Sequence, residues 1–215
     1  VITVQEGKTF GLEKKVVKGM QFDNGYISPY MMTDKLTSEA VYENAPILIT
    51  DKKISSLKEI LPLLEKLANS GEKQLVIIAD EVEGEALNTL ILNKVRGGFN
   101  TLAVRSPSFG EHRKETLEDI AILTGATFIS EESGIALESL ELDHLGSASK
   151  VVSTKEKTMI IEGHGDKDLL QERIDEIQEH IKNSTNGYDK DKLKERYAKL
   201  VGGVGIIEVG AATEV

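Results

Sequence analysis

Cysteine and tryptophan are absent from the 215 residues, and aromatic residues make up only 5% of the chain. Without cysteine there is no disulfide framework, thiolate zinc site or cysteine nucleophile, and a reducing compartment suits the chain. Four histidines offer little metal chemistry. No apolar run approaches the roughly 20 residues that cross a bilayer. The core must therefore be aliphatic, and an exposed aromatic side chain becomes informative.

Positive charge is also scarce, since 26 Lys and Arg face 36 Asp and Glu and give a formal charge of −10. Binding to nucleic acid or to an acidic membrane depends on Lys- and Arg-rich surfaces, so neither partner is expected. The first residues, Val1-Ile2-Thr3-Val4, lack the features of a secretory signal. We expect a cytoplasmic location, and because no initiator Met is present we expect the natural protein to be longer.

The middle of the chain alternates short β-rich runs with helical patterns, which is typical of stacked βαβ units. The predicted strands are Pro46–Thr50, Gln74–Ala79, Thr101–Val104 and Ala126–Ile129, and the predicted helices are Ser56–Asn69, Glu85–Arg96 and Arg113–Thr124. Next come a hairpin of Lys150–Thr154 and Thr158–Glu162 and two charged amphipathic helices. The predicted fold class is α/β, with a mainly parallel sheet, helices on its faces and a β-hairpin.

Two of these helices carry wide apolar arcs. At 100° per residue, the arc of the first helix covers roughly 160°, wider than the ~100° that docking on a sheet requires. The arc of the second helix is wider still. The neighbouring helices could thus frame an apolar groove for a peptide segment, with Gly25–Met32 supplying adaptable aromatic and methionine side chains. Ordinary core packing remains the alternative reading of both arcs.

Acidic residues follow the first two predicted strands and support a second hypothesis. They are Asp51 after the first strand and Asp80, Glu81, Glu83 and Glu85 after the second. Because open α/β sheets place ligand sites at the carboxyl ends of strands, such carboxylates could hold Mg²⁺. Alternatively, Asp51 begins a turn and the glutamates favour the positive end of a helix dipole. No phosphate-binding loop or nucleophile motif completes a catalytic set.

Ordered blocks of sequence carry a resemblance to a known family. They include Gly19-Met20-Gln21-Phe22-Asp23, Gly25-Tyr26-Ile27-Ser28-Pro29-Tyr30, Glu83-Gly84-Glu85-Ala86-Leu87, Pro107-Ser108-Phe109-Gly110 and Gly210-Ala211-Ala212-Thr213-Glu214-Val215. These blocks closely resemble, in the same order, blocks of the group I chaperonins, the GroEL-like folding proteins. The resemblance implies an apical domain at residues 19–203, flanked by intermediate-domain segments at 1–18 and 204–215, with hinges at Gly19 and Gly203.

The resemblance also implies a function and a site. It implies that the apical domain binds non-native polypeptides and the mobile loop of a co-chaperonin, within a ring of subunits. The positions that match the family's binding site are Tyr26, Tyr30, Met31, Leu61, Leu64, Leu87, Ile91, Leu92 and Asn93. The family's ATP and Mg²⁺ site and its catalytic carboxylate match no residue here, so we expect this stretch to be no enzyme by itself. A Mg²⁺-dependent enzyme using Asp51, Asp80 and Glu81, or a purely structural assembly domain, are the alternatives.

Overall fold

A computed structural model describes the backbone of residues 2–7 and 11–210 and the side chains of residues 15–205. Its helices are α1 (Leu57–Asn69), α2 (Gly84–Val95), α3 (Gly110–Thr124), α4 (Lys167–Asn183) and α5 (Gly187–Val201). Its strands are β1 (Ile2–Gly7), β2 (Gly11–Phe22), β3 (Ala40–Glu43), β4 (Pro46–Thr50), β5 (Lys53–Ile54), β6 (Gln74–Ala79), β7 (Glu81–Val82), β8 (Asn100–Arg105), β9 (Phe128–Ile129), β10 (Gly146–Ser153), β11 (Thr158–Gly163) and β12 (Gly203–Gly210).

A ten-stranded sheet joins most of these strands in the order β1-β12-β2-β11-β10-β4-β6-β8, with β3 beside β10 and β9 beside β4. The α/β class and the hairpin, here β10 and β11, are confirmed. The sheet is mixed, however, and not mainly parallel. Parallel pairing joins β4, β6, β8 and β9 as predicted, and also β1 and β12, whereas β2, β3, β10, β11 and β12 make antiparallel pairs. Strand β2 was not predicted, because it is rich in lysine and glycine and lacks a long apolar run.

The predicted central strands and first helix form for the expected reasons. Ile47, Leu48 and Ile49 of β4 are fully buried, as a strand covered on both faces requires. At the start of α1, one carboxylate oxygen of Glu59 accepts the Ser56 N–H at 2.9 Å. Burial opposes ionisation of Glu59, but this bond and two others from Ser55 and Ser56 prevail and lower its pKa.

Gly19 and Gly203, the predicted hinges, lie inside hydrogen-bonded strands. Gly19 pairs with Ile161 across β2 and β11, and Gly203 pairs with Lys18 across β12 and β2. A Cβ atom on Gly19 would come within 2.7 Å of the Ile160 carbonyl oxygen, so close strand packing already requires glycine there. The hinge role and the domain boundaries at these positions stay predictions.

A segment of three 3-10 turns follows β9, and the second and third of these turns contact α1. The turns are Glu131–Ser133, Leu137–Ser139 and Leu142–His144. Lys66 of α1 donates to the carbonyl oxygen of Leu140 at 2.8 Å. Leu137 and Leu140 are buried in the same apolar cluster as α1. This segment, which the sequence analysis did not predict to have structure, covers one flank of α1.

The charged helices α4 and α5 pack together and against α3. Ile174 and Ile177 of α4 and Leu200 of α5 are buried, which confirms the amphipathic interpretation. Within residues 2–7 and 11–210, no helix is both long and apolar enough to cross a bilayer.

Candidate functional site

Helices α1 and α2 begin side by side because the short strands before them pair with each other. Strands β5 and β7 are parallel, and each leads into one of the two helices. The Ala86 N–H at the start of α2 donates to the Ser55 carbonyl oxygen before α1 at 3.0 Å. The two helices also contact each other. Their first turns are therefore fixed relative to one another by backbone hydrogen bonds.

One flank of α2 faces α1. The carboxylate of Glu85 lies 3.5 Å from the Leu57 backbone nitrogen at the start of α1, at the limit of a hydrogen bond. Positions three or four residues apart share a helix flank, so Thr89, Leu92 and Arg96 continue the flank that begins with Glu85. The Leu92 side chain is 46% exposed. This flank forms one wall of the surface between the helices.

The facing wall comes from α1. Lys66 points to the 3-10 segment, whereas Leu57 contacts Glu85 of α2, so the flank of α1 that begins with Leu57, about 160° around the helix from Lys66, faces α2. That flank carries Leu57, Leu61, Leu64 and Ala68, again spaced by three or four residues. Leu61 is 37% exposed at the surface of this wall. We call the surface between the two walls the interhelical groove, with Leu57, Leu61 and Ala68 on one side, above the buried Leu64, and Glu85, Thr89, Leu92 and Arg96 on the other.

The opposite flank of α2 carries the other predicted contacts. Leu87 and Ile91 are half-buried and lie more than 100° around the helix from Glu85. A 3-10 turn, Pro29–Met31, packs against α2 and brings Tyr30 to the surface, where it is 65% exposed. The predicted residues thus divide between two flanks of α2 and do not line a single groove.

Three of the predicted contact residues are buried. Tyr26, Met31 and Leu64 are 8%, 1% and 6% exposed and belong to the main apolar core. Met31 accepts the Ala103 N–H on its sulfur at 3.3 Å, and Tyr26 donates to the Ser38 carbonyl oxygen at 3.2 Å. In this structure these side chains support the surface from beneath and do not line it.

The burial of Leu64 corrects the expected surplus of apolar surface on α1. Ile60, Leu63, Leu64 and Leu67 are all buried. They belong to the main apolar core, and Leu137 and Leu140 of the 3-10 segment pack into the same cluster and cover part of the arc. The sequence arc of α1 is wide because α1 packs on two neighbours, and ordinary core packing was the correct interpretation for most of it.

Asn93 and Val95 lie in the last turn of α2. Asn93 is half-buried, and its carbonyl oxygen accepts the Gly98 N–H at 3.0 Å. Val95 is 66% exposed, although the sequence analysis did not include it in the site. Glu85, Thr89 and Arg96 were also missed as members of the groove. Their spacing from Leu92 was the available signal, but it identifies a wall only once the position of α1 is known.

Each acidic residue proposed to bind Mg²⁺ instead interacts with another group of the protein. Asp51 is buried and accepts the Glu131 N–H at 2.9 Å. Asp80 is paired with Arg113, and Glu81 is paired with Arg105 at 2.9 Å. Across the part of the chain that the structure describes, no three His, Cys, Asp or Glu side chains are grouped to hold a metal ion. The geometry therefore gives the Mg²⁺ hypothesis no support.

Leu64→Ala should lower the free energy of unfolding by about 2–3 kcal/mol, because it leaves a cavity in a closed core. Leu61→Ala, three residues away on the same flank but partly exposed, should cost less than about 1 kcal/mol. Urea unfolding followed by circular dichroism gives both values. Equal losses for the two variants would contradict the assigned burial.

One comparison with known proteins bears on this chain. The family model described as the TCP-1/cpn60 chaperonin family matches residues 1–191 of the 215.

Proposed function

Because this chain belongs to the TCP-1/cpn60 chaperonin family, we propose that the surface around α2 is where it binds non-native polypeptide. A chaperone role in protein folding follows from the family. The finer assignment is supported by one observation above the rest. Three exposed apolar side chains lie on α2 or beside it, Leu92 and Val95 on the helix and Tyr30 on the neighbouring turn, while the other face of α2 is buried in the core.

The binding energy in this proposal comes from burial of apolar surface. Burying a whole Leu or Ile side chain contributes about 1.5–3 kcal/mol, and Leu92 is already half-covered. Each contact is therefore worth about 1 kcal/mol or less after ordering costs, which gives weak binding by a single copy. Apolar burial is largely non-directional, so many unrelated unfolded chains would be accepted. Several copies in a ring would hold one chain by avidity.

We extend the proposal to the partners that the sequence resemblance implies. The parent protein would be a cytoplasmic chaperonin of group I, in which a co-chaperonin's mobile loop competes for this surface and releases the polypeptide. ATP and Mg²⁺ would bind in another domain of the parent, so residues 1–215 alone would not hydrolyse ATP. Rotation about Gly19 and Gly203 would turn the surface from the polypeptide to the co-chaperonin.

Leu92→Ser should weaken the binding of a fluorescent apolar peptide about fivefold, which corresponds to about 1 kcal/mol of lost burial. Fluorescence anisotropy with the purified chain measures the dissociation constant. Asn88→Ser is the matched control, because Asn88 is exposed on the same helix and contributes no apolar surface.

An unchanged affinity for the Leu92→Ser variant, with circular dichroism showing a folded protein, would refute the proposed surface. Indifference of the unaltered chain to unfolded polypeptide, together with self-association in analytical ultracentrifugation, would favour a structural assembly domain.

A further inference from the structure

Two opposite charges lie at the ends of the groove wall formed by α2. Glu85 is in the first turn and Arg96 caps the last, and both are exposed. They share the flank that carries Leu92. Eleven residues at 1.5 Å per residue separate them by about 16 Å along the helix axis. An apolar surface with a carboxylate at one end and a guanidinium at the other therefore runs along α2.

Both charges are available to a ligand. Within residues 15–205, neither Glu85 nor Arg96 forms an ion pair, and Glu85 accepts only the long contact from the Leu57 N–H. Their positions also suit the helix dipole, which favours an acid at the start and a base at the end. The dipole accounts for the charges at the two ends, but it does not require that both lie on the flank facing α1.

We propose that the groove prefers apolar segments that carry one basic and one acidic residue about five residues apart. An extended chain advances about 3.3 Å per residue, so five residues span the distance from Glu85 to Arg96. The basic side chain would pair with Glu85 and the acidic one with Arg96. Because the two ends of the groove differ in sign, a given segment can satisfy both only in the chain direction that places its basic residue at Glu85. This inference depends on the proposed polypeptide-binding function.

Two other charges provide controls, because they lie outside the groove. Lys94 is on the opposite flank of α2, about 160° around the helix from Arg96, and Glu138 is exposed in the 3-10 turn Leu137–Ser139. Lys94→Glu changes the net charge by the same amount as Arg96→Glu. Glu138→Lys does the same for Glu85→Lys. Each pair of variants thus separates a local pairing effect from the attraction of the overall charge.

The test uses three peptides with the same apolar sequence and a charged residue at each end of a five-residue spacing. The ends are Lys and Glu, two Lys, or two Glu. Relative to the Lys94→Glu control, Arg96→Glu should shift the preference from the Lys/Glu peptide toward the Lys/Lys peptide. Relative to Glu138→Lys, Glu85→Lys should shift it toward the Glu/Glu peptide. Each mismatched pair should cost about two- to fivefold in affinity. In 0.5 M NaCl these preferences should shrink, because salt screens exposed pairs.

The outcomes separate this inference from the proposed function. If all three peptides bind, Leu92→Ser weakens them, and neither charge reversal changes the order of affinity relative to its control, the charge preference is wrong and the apolar site stands. If no peptide binds, or Leu92→Ser leaves every affinity unchanged, the polypeptide-binding function itself is wrong.

Discussion

Asp119→Ala is expected to lower the free energy of unfolding by about 3–5 kcal/mol, among the largest losses available to a single substitution here. Asp119 is 1% exposed in the middle of α3. Its carboxylate accepts two hydrogen bonds from Arg196 of α5, at 2.7 and 2.9 Å, and one from Arg173 of α4 at 2.8 Å. One carboxylate thus joins three helices.

The cost arises from what the substitution leaves behind. Arg196 is only 9% exposed and would keep its charge where little water can solvate it. Its remaining partner, Glu115 at 3.2 Å, is partly exposed and compensates for little. An unpaired buried charge is far more costly than the intact pair is favourable. Arg173 still pairs with Glu118 and Glu176 at the surface. Most of the lost stability should therefore come from the unpaired charge of Arg196.

Glu118→Ala is the matched control for Asp119→Ala. It removes a carboxylate next to Asp119 that bonds Arg173 at 3.2 Å, but this carboxylate is partly exposed. The expected loss is about 1 kcal/mol or less. Urea unfolding of both variants, with equal denaturant slopes, gives the comparison. Losses of similar size would mean that the buried bonds of Asp119 contribute no more than a surface pair.

The elements that position the site could be predicted because their signals are local. The apolar runs of β4, β6 and β8 are continuous, and α1, at Leu57–Asn69, lies within one residue of its predicted bounds Ser56–Asn69. The positions of β4, β6 and β8 and of α1, α2 and α3 therefore followed from patterns within about 15 residues, whereas the two-residue strands β5 and β7 were not predicted. These elements carry α1 and α2, so the presence of two adjacent helices was also predictable.

The exposure of individual side chains could not be predicted in the same way. Leu64 and Leu61 occupy the same flank of α1 and have the same chemistry, yet one is in the core and the other reaches the surface. Their exposure differs because Leu64 lies deeper than Leu61 between the two packed helices. The amount of apolar surface left on α1 further depends on Leu137 and Leu140, more than 70 residues away. No local pattern in α1 contains that information.

The long-range polar contacts could not be predicted from the sequence either. Asp119, Arg173 and Arg196 are charged residues in amphipathic helices, where a solvated position is the ordinary expectation. Only the packing of α3 against α4 and α5 converts them into a buried network. The acidic residues after β4 and β6 are the opposite case. Their clustering in the sequence suggested a metal site, but in the folded chain each has a different partner.

Gly25→Ala should destabilise the chain by more than about 4 kcal/mol or prevent it from folding. A Cβ atom on Gly25 would overlap the Thr154 carbonyl oxygen and the Lys155 carbonyl carbon. Both obstacles are backbone atoms of the hairpin end, so no side-chain rotation can relieve the overlap. Here close approach of two backbones, and not a positive φ angle, requires the glycine.

The overlap would also disturb the site. The Tyr26 N–H donates to the same Thr154 oxygen at 3.0 Å, and the Thr158 hydroxyl donates to the Asn24 carbonyl oxygen at 2.7 Å. These bonds hold the segment that leads to Tyr30. Moving the segment away from the hairpin would break them and shift the turn that packs against α2. In a variant that still folds, peptide affinity should fall together with stability.

Gly187→Ala provides the opposite expectation within the same chain. A Cβ atom there would meet nothing within 4 Å, and Gly187 opens α5 at a helical position. Alanine should raise the free energy of unfolding by about 0.4–1 kcal/mol, because it restricts the unfolded chain without strain in the folded one. Thermal and urea unfolding of the two variants test both signs together. A Gly25→Ala variant as stable as Gly187→Ala would show that the hairpin end does not pack against residue 25 as described.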